Sequence, residues 1–184
     1  MDKKVFRNLY KKKRSEIPNI EIVRLSRSIF EKITASEEFE NANKIFTYVN
    51  FENEIVTEDI INYSLSLNKI VAVPVINGKE MFFSEIKSLS ELKKNKFGIL
   101  EPESNALKIT ECDEKTLVLV PLLAYNSKKQ RIGYGGGYYD KFIAANNALC
   151  FMGLGFEWQR NDELPTEIHD MALDMIVTEK KFII

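Results

Sequence analysis

The chain has 184 residues, enough for one domain with a sizeable core, since 45% of its residues are hydrophobic. Charged residues make up 29% and nearly balance to a formal net charge of -1, which argues against a dedicated nucleic-acid-binding protein. No apolar stretch reaches membrane-spanning length and no signal-peptide core follows the amino terminus, so we expect a cytoplasmic protein without a membrane partner.

The first part of the chain predicts helices. Apolar residues at helical spacing predict a helix over residues 3–15, with residues 11–14 on its solvated basic face. Asn19 is the expected N-cap of a second amphipathic helix. A strand is predicted over 44–49, and Thr57 is the expected cap of a third helix.

The middle of the chain predicts a hairpin. Strands are expected over 69–76 and 80–84, joined by the turn signal Asn77-Gly78. A capping box at Ser88-Leu89-Ser90-Glu91 predicts a short helix, and residues 98–116 are expected to form a loop.

The last part of the chain again alternates between strand and helix. Strands are predicted over 116–123, 149–156 and 174–178, with a helix over 138–147. Such alternation, with strands apolar on both faces, predicts an α/β domain with a largely parallel sheet. Without an interdomain linker in view, we expect residues 1–184 to form a single domain.

A glycine-rich run separates the strand over 116–123 from the helix over 138–147. Four glycines, at 133 and 135–137, lie within five positions, after Arg131 and before Asp140. Glycines at such a turn let the backbone approach a ligand, and the amides at a helix amino terminus then favour phosphate. The run therefore predicts a phosphorylated ligand, most simply a nucleotide.

The run matches neither common phosphate motif. A P-loop has Lys followed by Ser or Thr after its last glycine, and Tyr138-Tyr139 stands there instead. The dinucleotide fingerprint has a glycine at its sixth place, which here is Tyr138. The alternative is a plain connecting turn, but such a turn does not need four glycines flanked by arginine and aspartate.

The pattern Arg-x-Gly-x-Gly-x-Gly-Tyr-Tyr-Asp within residues 121–140 resembles the signature of the 5-formyltetrahydrofolate cyclo-ligase family, also called methenyltetrahydrofolate synthetases. Further short blocks match in the same order along nearly the whole chain. They are Lys3 and Arg7, Glu54-Ile55-x-Thr57, Met81-Phe82-Phe83, Gly98-Ile99-Leu100-Glu101-Pro102, Leu164-Pro165, His169-Asp170 and Leu173-Asp174. The chain departs from the pattern at Asn126, where many members carry aspartate, and at Tyr134-Gly135-Gly136, where some carry arginine and lysine.

The resemblance implies a three-layer α/β fold and a reaction that uses ATP and Mg²⁺. Family members convert 5-formyltetrahydrofolate to 5,10-methenyltetrahydrofolate and release ADP and phosphate. The γ-phosphoryl group of ATP is transferred to the formyl oxygen, which becomes a leaving group when N10 attacks the formyl carbon. The implied partners are thus ATP and a reduced folate, and we expect a monomer that binds no nucleic acid.

The resemblance also implies roles for individual residues. Arg131 and Tyr138 are the expected catalytic residues. The expected ATP-binding residues are Lys3, Arg7, Arg131, Gly133, Tyr134, Gly135, Gly136, Gly137, Tyr138 and Tyr139.

The folate is expected to contact a mixed set of residues. Glu54 suits the pterin, because a carboxylate can accept hydrogen bonds from its ring N–H and amino groups. The remaining expected folate contacts are Val49, Met81, Phe83, Phe97 and Tyr138. For Met81, Phe83 and Phe97 ordinary core packing is an open alternative. For Glu54 the alternative is a solvated loop acid before a helix.

The resemblance implies that Asp140 and Asp174 are the Mg²⁺ ligands, which suits Mg²⁺ because it usually takes one or two carboxylates together with phosphate oxygens. The alternatives are a favourable charge at a helix amino terminus for Asp140 and a strand-edge residue for Asp174.

Few other residues suggest chemistry. The separated Cys112 and Cys150 make a disulfide framework or a cysteine zinc site improbable, and Cys150 is expected to be buried and inert. His169, as a lone histidine, cannot make a histidine-rich metal site; a structural or surface position and a role in shaping the metal-side loop both stay open. Trp158 is expected to pack or cover the rim of the site. Three rival functions stay open: a nucleotide-binding regulatory module without catalysis, an RNA-associated protein using the basic first helix, and another ATP-using enzyme on the same scaffold.

Overall fold

The computed structural model describes residues 2–96, 98–103, 107–167 and 170–184. The predicted contact residue Phe97 and the single histidine, His169, lie outside these ranges. Within the described residues, five α-helices are present. They are α1 (Lys3–Ser15), α2 (Asn19–Thr34), α3 (Glu37–Asn41), α4 (Glu58–Ser66) and α5 (Tyr138–Ala145).

A central sheet of seven strands is found in the same part of the chain, in the spatial order β11-β10-β9-β6-β1-β2-β3. Its strands are β1 (Lys44–Phe46), β2 (Ile70–Asn77), β3 (Glu80–Ile86), β6 (Thr116–Pro121), β9 (Cys150–Leu154), β10 (Met175–Val177) and β11 (Phe182–Ile183). Two small antiparallel pairs accompany it: β4 (Leu92–Lys94) with β5 (Leu100–Pro102), and β7 (Ala124–Tyr125) with β8 (Arg131–Ile132).

The sheet is parallel from β10 to β2 and antiparallel at both edges, where β11 pairs with β10 and β3 with β2. The two faces of the strands bury different helices. Leu117 and Leu119 of β6 share one buried cluster with Ile29 of α2, whereas Val118 of β6 packs in another with Ile143 of α5. The predicted three-layer α/β fold with a largely parallel sheet is confirmed.

Several predicted boundaries are wrong by a few residues, and some elements were not predicted. The strand expected over 44–49 ends at Phe46, and the cap of α2 is Pro18 rather than Asn19. Thr57 precedes α4, but its hydroxyl donates to Tyr48 O at 2.8 Å instead of capping the helix. The loop expected over 98–116 contains β5. The short helix near Ser88 is a 3-10 helix over Leu89–Glu91.

Helix α1 packs at one end of the sheet rather than on a face. Its apolar residues Phe6 and Tyr10 join Leu123, Ala124 and Ile132 in a separate buried cluster. This contact places α1 beside the β7–β8 hairpin, directly before the glycine-rich run. No described helix is long and apolar enough to cross a lipid bilayer.

Candidate functional site

A crevice opens where the central strands end. β1 lies between β2 and β6 in the sheet. The chain passes from β1 to β2 on one side and from β6 to β9 on the other, so the connections after these two neighbouring parallel strands run in opposite directions. In open α/β sheets, ligands bind outside the carboxyl ends of strands at such a point. Here a pocket is lined by Tyr48 after β1, Pro121 and Leu122 at the end of β6, and Leu154 at the end of β9.

The floor of this pocket is held by a buried glutamine that sequence reasoning missed. Gln159 is 2% exposed. Its side-chain amide donates to Leu123 O at 2.9 Å and accepts from Phe156 N at 2.6 Å. These bonds tie the segment after β9 to the segment after β6, so the two walls of the pocket keep a fixed separation.

Glu54 projects into the pocket from the connection between β1 and α4. Its side chain is 13% exposed, Oε2 accepts from Phe51 N at 2.9 Å, and Oε1 accepts from the hydroxyl of Tyr134. Burial raises the pKa of Glu54 above its ordinary value, although the contacts with Tyr134 and Arg14 act in the opposite direction. A buried carboxylate with its oxygens aimed into a pocket suits recognition of a ligand that donates hydrogen bonds.

Arg14 also belongs to this pocket, and its predicted solvated position is wrong. The residue is 5% exposed, its Nη1 lies 3.6 Å from Glu54 Oε1, and it donates to the Tyr134 hydroxyl. Burial works against the charge of Arg14, but Tyr134, Glu54 and Glu52 outweigh it, so the pKa of Arg14 is raised. Its position four residues after Tyr10 and eight after Phe6 is the signal that could have placed it on the buried face of α1.

The glycine run forms a loop over residues 133–137 between β8 and α5, here called the glycine loop. Gly135 and Gly137 have φ of +105° and +66°, a backbone region that L side chains rarely adopt. Among the described residues, none accepts a hydrogen bond from a backbone amide of the glycine loop. Gly137 precedes α5 without a side-chain cap, so the helix also presents uncapped amides at this end.

Arg7 fastens the glycine loop to α1. Its Nε donates to Gly133 O at 3.1 Å, and a Cβ placed on Gly135 would lie 3.2 Å from its Cζ. The guanidinium therefore lies against the loop backbone, where it adds positive charge beside the amides. This is the position that the predicted contact between Arg7 and ATP requires.

The two tyrosines after the glycine loop point to different parts of the molecule. The Tyr138 ring covers Gly136, and its hydroxyl donates to Gly78 O in the β2–β3 turn at 3.1 Å. The Tyr139 hydroxyl is buried without a partner in the described part of the chain, and burial raises its pKa. Tyr138 thus spans from the glycine loop to the hairpin turn.

Arg131 and Asp140 pair with each other. Arg131 Nη2 lies 3.2 Å from Asp140 Oδ1, its Nη1 donates to Met171 O at 3.0 Å, and its side chain is 3% exposed. Burial lowers the pKa of Arg131, and the charge of Asp140 only partly offsets this. Asp140 Oδ1 also accepts from Met171 N at 3.2 Å.

Lys3 lies one helical turn before Arg7 and faces two carboxylates. Its Nζ lies 2.7 Å from Asp170 Oδ1 and 3.0 Å from Glu167 Oε2. Burial lowers its pKa, but the contacts with Asp170 and Glu167 raise it more. Asp170 directly precedes Met171, which contacts Arg131 and Asp140, so Lys3 is connected to the two residues that flank the glycine loop.

Asp174 is not brought into this arrangement. It lies directly before β10, and its Oδ2 accepts from Phe151 N at 2.7 Å near the start of β9. In the described ranges no three His, Cys, Asp or Glu side chains are grouped so that they could hold a metal ion. Asp140 and Asp174 share no hydrogen-bond partner in the part of the chain that the structure describes, and joint metal binding by both remains a prediction.

Val49, Met81 and Phe83, three of the residues predicted to contact folate, do not line the pocket of Glu54. Phe83 is 1% exposed and stacks on Phe46, with ring centroids 4.5 Å apart. Met81 lines a different, open cleft beside Phe142 of α5. Val49 is buried in a cluster with Ile61 and Val71. The structure brings Glu54 together with Tyr134, Tyr48 and Arg14 instead.

Comparison with known proteins identifies the family of the chain. A sequence model of the 5-formyltetrahydrofolate cyclo-ligase family matches residues 1–179. The chain belongs to this family. The resemblance predicted from the glycine run and the shorter blocks is confirmed.

Individual relatives agree with the family match. The 5-formyltetrahydrofolate cyclo-ligase of Haemophilus influenzae is 32% identical over 142 residues, which cover 74% of this chain and 76% of that protein. The enzyme of the same name from Mycoplasma pneumoniae is 27% identical over 184 residues, covering 98% of this chain and all of that protein (100%). The solution structure of Aquifex aeolicus 5,10-methenyltetrahydrofolate synthetase superposes with a TM-score of 0.86 at 26% identity, covering 99% of this chain and 92% of that one.

Proposed function

We propose that the protein converts 5-formyltetrahydrofolate to 5,10-methenyltetrahydrofolate with ATP and Mg²⁺, releasing ADP and phosphate. Besides the family, one observation carries the proposal: a loop of donor amides beside Arg7 adjoins a pocket whose buried carboxylate is Glu54. Tyr134 belongs to the loop and also contacts Glu54. This contact supports a single site in which a phosphoryl group and a folate meet.

The chemistry explains why both halves are needed. An N-formyl oxygen is a poor leaving group, so the formyl carbon resists attack until phosphorylation converts that oxygen into phosphate. N10 then attacks the formyl carbon, the ring closes, and phosphate departs. The main demands on the protein are alignment of the two substrates and stabilisation of negative charge on the phosphoryl group.

The residues of the glycine loop meet the second demand. Their amides and the uncapped amino terminus of α5 are donors for the phosphates, and Arg7 supplies a guanidinium at the same backbone. Lys3 is one turn away on α1. Tyr138, which reaches over the loop to Gly78, would lie between the nucleotide and the folate.

Arg131 has a more indirect role in this proposal. Its guanidinium holds Asp140 and Met171 O, so it stabilises the start of α5 and the segment that carries Asp170. Arg131 therefore orients the carboxylate next to the glycine loop. A direct contact between Arg131 and phosphate would require it to leave these partners.

Asp140 is suited to hold Mg²⁺ together with phosphate oxygens. It lies in the first turn of α5, it is a hard oxygen donor, and its Oδ1 takes both the hydrogen bond from Met171 N and the 3.2 Å contact with Arg131 Nη2. Bound there, Mg²⁺ would offset the negative charge of the phosphates. Asp174, bonded to Phe151 N, is proposed as a ligand on the family pattern alone.

The experiment is a turnover assay. Purified protein is incubated with ATP, Mg²⁺ and 5-formyltetrahydrofolate, and product is followed through the methenyl chromophore and ADP release. Product formation that requires both ATP and the folate is expected. ATP hydrolysis or binding without methenyl product at any enzyme concentration would rule the proposal out and favour a non-catalytic nucleotide-binding module.

A further inference from the structure

One tyrosine of the glycine loop lies across the pocket that would receive the folate. The Tyr134 hydroxyl donates to Glu54 Oε1 and accepts from Arg14, a contact across 80 positions of sequence. We propose that Tyr134 is a gate: it must leave Glu54 before folate binds, and nucleotide bound at the glycine loop favours this movement. The inference rests on the proposed function, because it assigns Glu54 to the folate.

The gate and a folate would compete for the same acceptor. Glu54 Oε2 already accepts from Phe51 N, and Oε1 accepts from Tyr134. The pocket beneath the tyrosine has a cavity volume of about 10 Å³, which is room for about one water. A bicyclic pterin therefore cannot reach Glu54 with Tyr134 in this position.

The surroundings of Tyr134 permit it to move. It lies between Gly133 and Gly135. Gly135 has a positive φ, and because glycine has no Cβ, the backbone on this side of Tyr134 can adopt other conformations. Tyr134 is 40% exposed. Its ring is flanked by two cations, Lys11 Nζ at 5.6 Å and Arg14 Cζ at 5.5 Å from the centroid, rather than by the apolar core.

The same loop would bind the nucleotide, and this links the two substrates. Arg7 fixes Gly133 O, so the loop is anchored directly before Tyr134. Phosphates bound by the amides of residues 133–137 would set the backbone conformation on both sides of Tyr134. If that conformation carries the hydroxyl away from Glu54, nucleotide and folate binding must strengthen each other by the same factor.

The test measures this factor by calorimetry. Wild type and Tyr134→Phe are titrated with 5-formyltetrahydrofolate, each with and without a non-hydrolysable ATP analogue and Mg²⁺. For wild type we expect the analogue to lower the folate Kd at least about 5-fold. For Tyr134→Phe, which lacks only the competing hydroxyl, we expect about 10-fold tighter folate binding without nucleotide and a coupling factor near one.

Tyr63→Phe is the matched control. Tyr63 is 41% exposed on α4, and its ring packs on Phe30 and Phe39, contacts that phenylalanine retains. This variant should bind folate and nucleotide like wild type. Thermal unfolding of all three proteins verifies that each titration is made on folded protein.

The outcomes separate the gate from the proposed function. If Tyr134→Phe binds folate with the affinity and the coupling factor of wild type, or binds folate more weakly, the gate is overturned. Turnover of the folate by wild type would still support the proposed function. Absence of coupling in wild type would overturn the link to the nucleotide. If wild type neither binds nor turns over the folate, the proposed function fails and the gate fails with it.

Discussion

Glu54 combines two properties that are difficult to reconcile in one side chain. It is largely removed from water, which opposes its negative charge, yet it keeps a hydroxyl and a guanidinium within reach. Carboxyl groups with perturbed pKa values cluster at functional sites. The raised pKa of Glu54 agrees with the binding role proposed for it from the pocket geometry.

Glu54→Gln should weaken folate binding and leave nucleotide binding unchanged. The amide offers one neutral acceptor in place of a carboxylate, and losing a charge-assisted hydrogen bond costs about 1.5–3 kcal/mol. We expect the Kd for 5-formyltetrahydrofolate to rise about 10- to 100-fold, with the Kd for an ATP analogue unchanged, as measured by calorimetry. Glu52→Gln is the control, since Glu52 is 66% exposed and lies 3.9 Å from Arg14. Equal losses for both ligands would contradict the assignment.

Asp140→Asn tests the proposed metal ligand. We expect kcat to fall about 100-fold or more and the Mg²⁺ requirement to rise, because a bound metal contributes several kcal/mol of charge stabilisation. The free energy of unfolding should also fall by about 1–3 kcal/mol, because Arg131 would keep its buried charge without its partner. This loss is smaller than for a fully buried pair because Asp140 itself is partly exposed. Urea unfolding and steady-state kinetics measure the two effects.

The control for this variant is Asp162→Asn, which removes a surface pair with Arg160 at 3.0 Å. Because exposed ion pairs contribute little, this variant should match wild type in both kinetics and urea unfolding. Unchanged Mg²⁺ dependence in Asp140→Asn would show that Asp140 serves only its pair with Arg131.

At the scale of elements, the glycine loop depends on close packing as much as on flexibility. A Cβ on Gly136 would lie 2.5 Å from the Tyr138 ring, whereas a Cβ on Gly133 meets nothing within 4 Å. Gly133 and Gly136 therefore differ in whether a side chain would fit, although both contribute amides to the same loop.

This difference predicts that Gly136→Ala is costly and Gly133→Ala is mild. The alanine at 136 must displace Tyr138 and break its bond to Gly78 O, so we expect the Kd of an ATP analogue to rise about 10-fold, or about 1–2 kcal/mol. Gly133→Ala should stay within about 3-fold of wild type. Similar losses in both variants would mean that flexibility alone matters.

The elements also show what local sequence can predict. The central parallel strands were predicted because their residues are apolar on both faces, and the β2–β3 hairpin because Asn77-Gly78 marks its turn. The two-residue strands β7, β8 and β11 have no such signal, since pairing at a distance defines them. The pocket of Glu54 was only partly predicted for the same reason: Glu54 was identified, but its contact with Tyr134 depends on the folded chain.

At the scale of the whole molecule, the site lies where independently packed parts meet. α1 brings Arg7 and Arg14, the β1–α4 connection brings Glu54, and the β8–α5 connection brings the glycine loop. The sheet fixes the distances between them through its parallel register, and Gln159 fixes the pocket floor. Phe83 contributes to this frame as a core residue, stacked on Phe46, and its predicted folate contact is untested.

This placement of Glu54 predicts a pH dependence for stability. Burial raises its pKa above the ordinary 4.5, so the folded protein holds a proton on this carboxyl more tightly than the unfolded chain. Its stabilising contribution is then fully present below the unfolded pKa and is lost as pH rises through the folded pKa. Glu54→Gln, neutral at every pH, should therefore unfold at higher urea concentration than wild type at about pH 7, and this gain should shrink towards about pH 4. Glu52→Gln is the control. If Glu54→Gln shows no gain in stability at neutral pH, or the same gain at both pH values, then Arg14 and Tyr134 offset the cost of burying the Glu54 charge more fully than its burial indicates.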